Sequence, residues 1–119
     1  MSALFRKRVL LVEDEALIAF AVEDILTDLG CEVVGPAFRL DDAVGLASAA
    51  PIDAAILDVN LNDQRSYAVA DELKRRGIPF LFATGYAEGG VDWDGPEVDV
   101  LPKPYRKEQL AVALRRLLS

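Results

Sequence analysis

Short apolar runs alternate along the chain with longer segments whose apolar residues recur at helical spacing. The apolar runs are Val9–Val12, Cys31–Gly35, Ala54–Leu57, Pro79–Ala83 and Val98–Leu101. The segments with helical spacing are Glu15–Leu29, Leu40–Ala50, Ser66 to about Arg76, and Lys107–Leu118. Short apolar runs rich in β-branched residues are typical of strands buried on both faces. The alternation predicts one α/β domain in which helices cover both faces of a five-stranded parallel sheet.

The fourth connection departs from this rhythm. Residues 85–97 include Gly89, Gly90, Gly95 and Pro96, and their helical periodicity is weak. Because glycine and proline both disfavour helix interiors, we predict a short or weak fourth helix here.

The first predicted helix has an apolar face and one aromatic residue outside it. Ile18, Val22, Ile25 and Leu29 lie on one side and form the expected core face. At about 100° per residue, Phe20 lies nearly opposite that face. A single exposed aromatic residue needs no functional reason, but partner proteins often bind such an anchor. A docking role for Phe20 is therefore one of two interpretations.

Composition contributes mainly exclusions. The chain has 119 residues, a net charge of −7, one cysteine and no histidine. The length suits one domain spanning residues 1–119, with no room for an output domain. The negative charge disfavours binding to nucleic acid or to an anionic membrane. Without histidine there is no Ser-His-Asp catalysis and no imidazole metal ligand. The single cysteine and the absence of a signal peptide or membrane span favour a cytoplasmic protein.

Polar side chains follow four of the predicted strands. Glu13 and Asp14 follow the first, Asp58 the third, Thr84 the fourth and Lys103 the fifth. In parallel sheets, ligands bind beyond the carboxyl ends of the strands, so these side chains should converge on one crevice. Each residue alone is more often a helix cap, a turn residue or a solvated lysine. Together they predict an oxygen-ligand site for a hard cation, with Mg²⁺ as the best candidate.

The blocks around these positions resemble the signature blocks of response-regulator receiver domains. They are Leu11–Glu15, Leu57–Leu61, Ala83–Gly85 and Pro102–Tyr105. The resemblance covers essentially the whole chain and implies a flavodoxin-like, doubly wound sheet with strand order 2-1-3-4-5. It implies a switch that takes a phosphoryl group from a histidine kinase or phosphotransfer protein and signals to a downstream protein partner. It also implies that the chain is not an enzyme beyond catalysing its own phosphorylation.

The same resemblance assigns a role to each residue of the crevice. Glu13, Asp14 and Asp58 would hold Mg²⁺ together with the backbone carbonyl of Asn60. Asp58 would be the phosphoacceptor. Thr84 would hydrogen-bond the phosphoryl group.

A lysine contact completes this implied site. Lys103 would pair first with Asp58 and then with the phosphoryl oxygens. The bond between Lys103 and Pro104 is expected to be cis.

One position departs from the family pattern. Receivers usually carry an aromatic residue where this chain has Val100, three residues before Lys103. The run Phe82–Tyr86 resembles a subgroup, often stand-alone, that has a Phe-Ala-Thr-Gly run. We hypothesise that Tyr86, or otherwise Tyr105, takes over the switching role, and that residues 85–96 order on phosphorylation. The alternative is that Tyr86 only packs at the edge of the sheet.

Two other functions are open for this fold. An aspartate-nucleophile phosphatase of the haloacid-dehalogenase type would need a second aspartate two positions after Asp58, where this chain has Asn60. A degenerate receiver that only binds partners would not need the full set of phosphorylation residues, which is present here.

Overall fold

The computed structural model describes residues 3–85 and 91–119. Its main strands are β1 (Arg8–Val12), β2 (Glu32–Ala37), β3 (Ala54–Asp58), β6 (Phe80–Thr84) and β7 (Val100–Pro102). A small hairpin after β3 contains β4 (Asn60–Leu61) and β5 (Gln64–Arg65). The helices of the described residues are α1 (Ala16–Asp28), α2 (Leu40–Ala49), α3 (Tyr67–Arg76) and α4 (Lys107–Leu118). None of these helices is long and apolar enough to cross a membrane.

The main sheet has five parallel strands in the order β2-β1-β3-β6-β7. Counting the main strands alone, this is the predicted order 2-1-3-4-5, so the predicted fold is confirmed. β7 begins two residues later than expected and lies at an edge of the sheet, with Val100 exposed. β2 also extends beyond its predicted end, to Ala37.

Alternate residues of the central strands enter two separate cores. Leu57 of β3 and Phe82 of β6 pack on the side of α2 and α3. Ile56 and Leu81 pack on the other side, against α1 and α4. Because side chains alternate across a strand, strands covered on both faces are apolar throughout. This explains why the predicted strands are continuous apolar runs in the sequence.

The buried face of α1 is rotated slightly from the predicted one. Ala19, Val22 and Leu26 are its fully buried residues, whereas Ile18, Ile25 and Leu29 are only partly buried at the border of the core. Periodicity identified the correct side of the helix. The centre of that side depends on how the helix packs against the sheet and α4, which periodicity within the helix does not report.

Between β6 and β7, the described residues 91–99 contain no helix. Trp93 packs edge-on against Phe80 and Phe82, and its indole Nε1 donates a 2.9 Å hydrogen bond to Asp71 Oδ1 on α3. The ring also lies over Gly95, where an added Cβ would come within 2.5 Å of it. Aromatic packing therefore orders this part of the connection without helical hydrogen bonds. The prediction for Tyr86 falls outside the described residues.

Candidate functional site

Strand register brings the predicted site residues to one end of the sheet. Val12 pairs with Leu57, and the next residue of β3, Asp58, pairs with Ala83. Thr84 in turn pairs with Pro102, the residue before Lys103. The polar residues that end or follow these strands therefore lie side by side across the sheet, as predicted.

At the centre of this site, one lysine lies between two buried carboxylates. Lys103 Nζ donates a hydrogen bond of 3.1 Å to Glu13 Oε2 and another of 3.1 Å to Asp58 Oδ2. Glu13 is 2% exposed and Asp58 is 1% exposed, so water screens these charges poorly. The Lys103–Pro104 bond is cis, as expected, and so is Gly35–Pro36.

The pKa of Asp58 is raised from 3.8 to about 8. Burial is the main cause, and the negative charge of Glu13 adds to it, while Lys103 opposes both. Burial alone would lower the Lys103 pKa, but Asp58 and Glu13 outweigh burial and raise it. The Lys103 ammonium thus lies at close range to two buried acidic groups, and Asp58 holds its proton more tightly than a free carboxylic acid does. A cation bound beside them would favour loss of that proton.

Three carboxylates form a group with the geometry of a metal site. One ligand oxygen from each of Glu13, Asp14 and Asp58 lies within 4.8 Å of the others. Mg²⁺ prefers oxygen ligands and is usually bound by one or two protein carboxylates while it retains several waters. The donors fit that chemistry, since all are hard oxygens and Asp14 is only partly buried, which leaves room for water. Asn60 is also close, because its backbone N–H donates to Asp58 Oδ1 over 3.3 Å.

Thr84 ends β6 next to this group and is partly buried. Its hydroxyl donates a hydrogen bond of 3.3 Å to the carbonyl of Gly85. A hydroxyl rotates freely about its C–O bond. The hydroxyl can therefore redirect its O–H and has the chemistry expected of a donor to a phosphoryl oxygen.

The two other residues singled out from the sequence lie around this crevice. Tyr105 packs against the core on the side of α1 and α4, and burial raises the pKa of its phenol. Phe20 is 51% exposed, and its ring packs edge-on against Phe38 with centroids 6.2 Å apart. Leu17, which sequence reasoning did not single out, is 86% exposed on the same helix.

The hairpin β4–β5 was also missed from the sequence. No strand is expected in the polar segment after Asp58, although Asn62-Asp63 between short extended segments was a usable signal. Both residues have positive φ, 50° for Asn62 and 67° for Asp63, as a tight two-residue hairpin turn requires. The Asn62 backbone N–H donates a 2.8 Å hydrogen bond to Asp14 Oδ2. The turn therefore belongs to the site.

Comparison with known proteins agrees with this architecture. Residues 9–115 match the response regulator receiver domain. The chain is 33% identical over 114 residues to the phyllosphere-induced regulator PhyR of Methylorubrum extorquens, an alignment that covers 92% of this chain and 43% of that protein. Another relative is the transcriptional regulatory protein PdtaR of Mycobacterium tuberculosis, which is 30% identical over 117 residues, covering 95% of this chain and 57% of that protein. The chain thus spans about half the length of the curated relatives it matches.

A solved structure gives a closer match in length. The solution structure of SdrG from Sphingomonas melonis Fr1 has a TM-score of 0.85 and 43% identity, and the alignment covers 100% of both chains. The chain belongs to the response regulator receiver domain family of two-component systems.

Proposed function

We propose that this receiver domain is a signalling switch that accepts a phosphoryl group on Asp58 with the help of Mg²⁺. The observation that carries the proposal is the buried contact of Asp58 with Lys103, beside the acidic group that Glu13 and Asp14 complete. A carboxylate that has lost its proton can act as the nucleophile toward phosphorus. Transfer then depends mainly on positioning and on neutralising charge.

The donor in this proposal is a phosphohistidine of a histidine kinase or phosphotransfer protein. An Asp58 oxygen forms the new bond to phosphorus while the bond from phosphorus to the donor imidazole nitrogen breaks, and the bonding electrons return to that nitrogen. Lys103 loses its ion pair with Asp58 and pairs with a phosphoryl oxygen instead. The Thr84 hydroxyl donates a hydrogen bond to another phosphoryl oxygen. Glu13, Asp14, Asp58 and the Asn60 carbonyl would hold Mg²⁺, which neutralises charge on the phosphoryl oxygens when bound.

The phosphorylated protein then signals to a protein partner and performs no further catalysis. The phosphatase alternative is less well supported, since Asn60 stands where that chemistry needs a second carboxylic acid. The backbone N–H of Asn60 also donates to Asp58 Oδ1, and its amide side chain has no proton as acidic as that of a carboxylic acid.

Intact-protein mass spectrometry tests this proposal. Incubation with Mg²⁺ and acetyl phosphate should add one phosphoryl group, and neither EDTA-treated protein nor Asp58→Asn should gain it. Asp53→Asn is a matched control, because Asp53 lies at the opposite end of β3 and pairs with Arg8. Loss of labelling in Asp53→Asn, or persistence in Asp58→Asn, would contradict the assignment. Rapid turnover of many phosphate esters would favour the phosphatase.

We also propose that the phosphohistidine donor docks across the outer face of α1. A groove of about 460 Å³ runs between α1 and the segment after β7, and Leu17, Ile18 and Tyr105 line it together with Lys103. It is mostly apolar and reaches the lysine that contacts Asp58. Phe20 lies on the same helix and presents half of its surface to solvent.

Phe20 packs against Phe38 and is not among the residues that line the groove, so its exchange for alanine tests whether the docking surface extends beyond the groove to this side of α1. We expect Phe20→Ala to slow phosphoryl transfer from the phosphorylated partner while leaving labelling by acetyl phosphate unchanged. Phe5→Ala is the matched control, since Phe5 is 48% exposed and lies beside Gly30, beyond the C-terminal end of α1, where an added Cβ would come within 3.4 Å of its ring. If transfer from the partner proceeds equally fast in all three proteins, Phe20 has no docking role.

A further inference from the structure

Each carboxylate of the acidic group accepts a hydrogen bond from a backbone N–H. Glu13 Oε1 accepts from the N–H of Glu15 at 3.2 Å, and Asp58 Oδ1 accepts from that of Asn60 at 3.3 Å. In both cases the donor lies two residues further along the chain, so the contact is local. Asp14 differs, because its donor is the N–H of Asn62, 48 residues away and at the shorter distance of 2.8 Å.

The shape of the β4–β5 turn places this donor. Leu61 pairs with Gln64, and the two residues between them both have positive φ. Leu61 itself is 1% exposed, so the hairpin is anchored in the core next to the site. A two-residue turn of this kind has a well-defined backbone geometry. The direction of the Asn62 N–H is therefore set by the hairpin and not by the segment that carries Asp14.

The side chain of Asn62 adds a second connection. Its Nδ2 donates to the backbone carbonyl of Phe38 over 3.5 Å, a long hydrogen bond to the connection between β2 and α2. Phe38 in turn packs against Phe20 on α1. The turn, which follows β3, thus contacts Asp14 after β1 and Phe38 after β2.

We propose that Asn62 is a positioning residue for the metal site. Its backbone N–H holds Asp14 Oδ2 and orients the carboxylate toward Glu13 and Asp58, so that the three ligand oxygens stay within reach of one ion. A hydrogen bond from an N–H to a carboxylate is charge-assisted and directional. Groups that orient metal ligands contribute strongly to metal affinity. This inference rests on the proposed function, in which the acidic group binds Mg²⁺.

Replacement of a single backbone amide tests the inference directly. An ester in place of the Leu61–Asn62 amide exchanges the Asn62 N–H for oxygen and leaves every side chain unchanged. The matched control carries an ester at the Asn62–Asp63 bond, which alters the same turn but retains the Asn62 N–H. Both are full-length proteins, and calorimetric titration with Mg²⁺ measures the Kd.

We expect the first ester to raise the Kd for Mg²⁺ by roughly tenfold or more, and the control ester to leave it near that of the unsubstituted protein. An unchanged or lower Kd in the first ester would overturn the proposal, as would equal weakening in both esters. If the unsubstituted protein binds no Mg²⁺, the proposed function fails instead, so the two failures are distinguishable.

Hydrogen exchange provides a measurement that does not depend on the esters folding. In the unsubstituted protein saturated with Mg²⁺, the Asn62 amide should exchange far more slowly than an open turn amide. This protection should be lost in Asp14→Ala. Exchange at the unprotected rate in the Mg²⁺-bound protein would refute the positioning role.

Discussion

Exchange of Asp58 for asparagine should stabilise the metal-free protein while abolishing phosphorylation. In the fold, burial and Glu13 raise the Asp58 pKa from 3.8 to about 8. The folded protein therefore keeps a proton on Asp58 at pH values where the unfolded chain has already lost it. The sign follows from linkage: the free energy of unfolding falls as pH rises from about 4 to about 8, since the folded state binds more protons there.

The size of the effect follows from the same shift. The difference between 3.8 and about 8 is roughly four pKa units, at about 1.4 kcal/mol each, which gives an upper limit of about 5 to 6 kcal/mol above pH 8. Asparagine has no charge to bury, but it forfeits the ion pair in which Lys103 Nζ lies 3.1 Å from Asp58 Oδ2. Because the lost pair offsets part of the gain, we expect a net stabilisation of about 1 to 3 kcal/mol at pH 8.

Urea denaturation in EDTA at several pH values between 5 and 8 is the appropriate assay. The advantage of Asp58→Asn over the unsubstituted protein should grow with pH at constant m-value. Asp53→Asn should instead lower the free energy of unfolding throughout this pH range. The Arg8 N–H lowers the pKa of Asp53, so this contact stabilises the fold while the carboxylate is ionised. Addition of Mg²⁺ should reduce the advantage, since only the protein with Asp58 gains the full binding free energy.

Two results would refute this reasoning. One is an Asp58→Asn protein that is less stable than the unsubstituted protein at pH 8 in EDTA. The other is a stability difference that does not change with pH, which would mean that ionisation of Asp58 is not the cause.

Three further predictions concern other parts of the molecule. Lys103→Met should lower the free energy of unfolding of the metal-free protein by about 1 to 3 kcal/mol in urea titrations, because it leaves buried carboxylates without their cation; it should also slow labelling by acetyl phosphate, and equal labelling rates would contradict its role. Gly95→Ala should displace the ring of Trp93, since the new Cβ would come within 2.5 Å of it; the single tryptophan should then emit at longer wavelength, and an unchanged spectrum would count against this packing. If Tyr86 carries the switch, amide relaxation should show residues 85–96 becoming more rigid in the beryllofluoride-bound protein, whereas equal mobility in both forms would exclude the hypothesis.

Much of the architecture was determined by the sequence alone. Strands buried on both faces are apolar throughout, so runs such as Val9–Val12 and Ala54–Leu57 are recognisable without any partner strand. The carboxyl ends of parallel strands meet at one edge of the sheet, so the residues that follow them, including Glu13, Asp58 and Lys103, could be grouped before their distances were known.

Boundaries and helix orientation were less well determined. Periodicity predicted a core face of Ile18, Val22, Ile25 and Leu29 on α1. Val22 is buried as predicted, but the other buried residues of the helix are Ala19 and Leu26. A hydrophobic pattern reports which side of a helix is apolar. How closely that side approaches the sheet depends on the packing of neighbouring elements.

The tertiary structure alone decided how Asp14 is held and how Asp58 titrates. No local pattern connects Asp14 with Asn62, because the donor is a backbone N–H whose direction depends on the turn of a hairpin 48 residues away. The raised pKa of Asp58 likewise arises from burial and from Glu13, which are properties of the packed site. The sequence thus determined which groups the site contains, and the fold determined their spacing and charge, because both depend on contacts between segments that are distant along the chain.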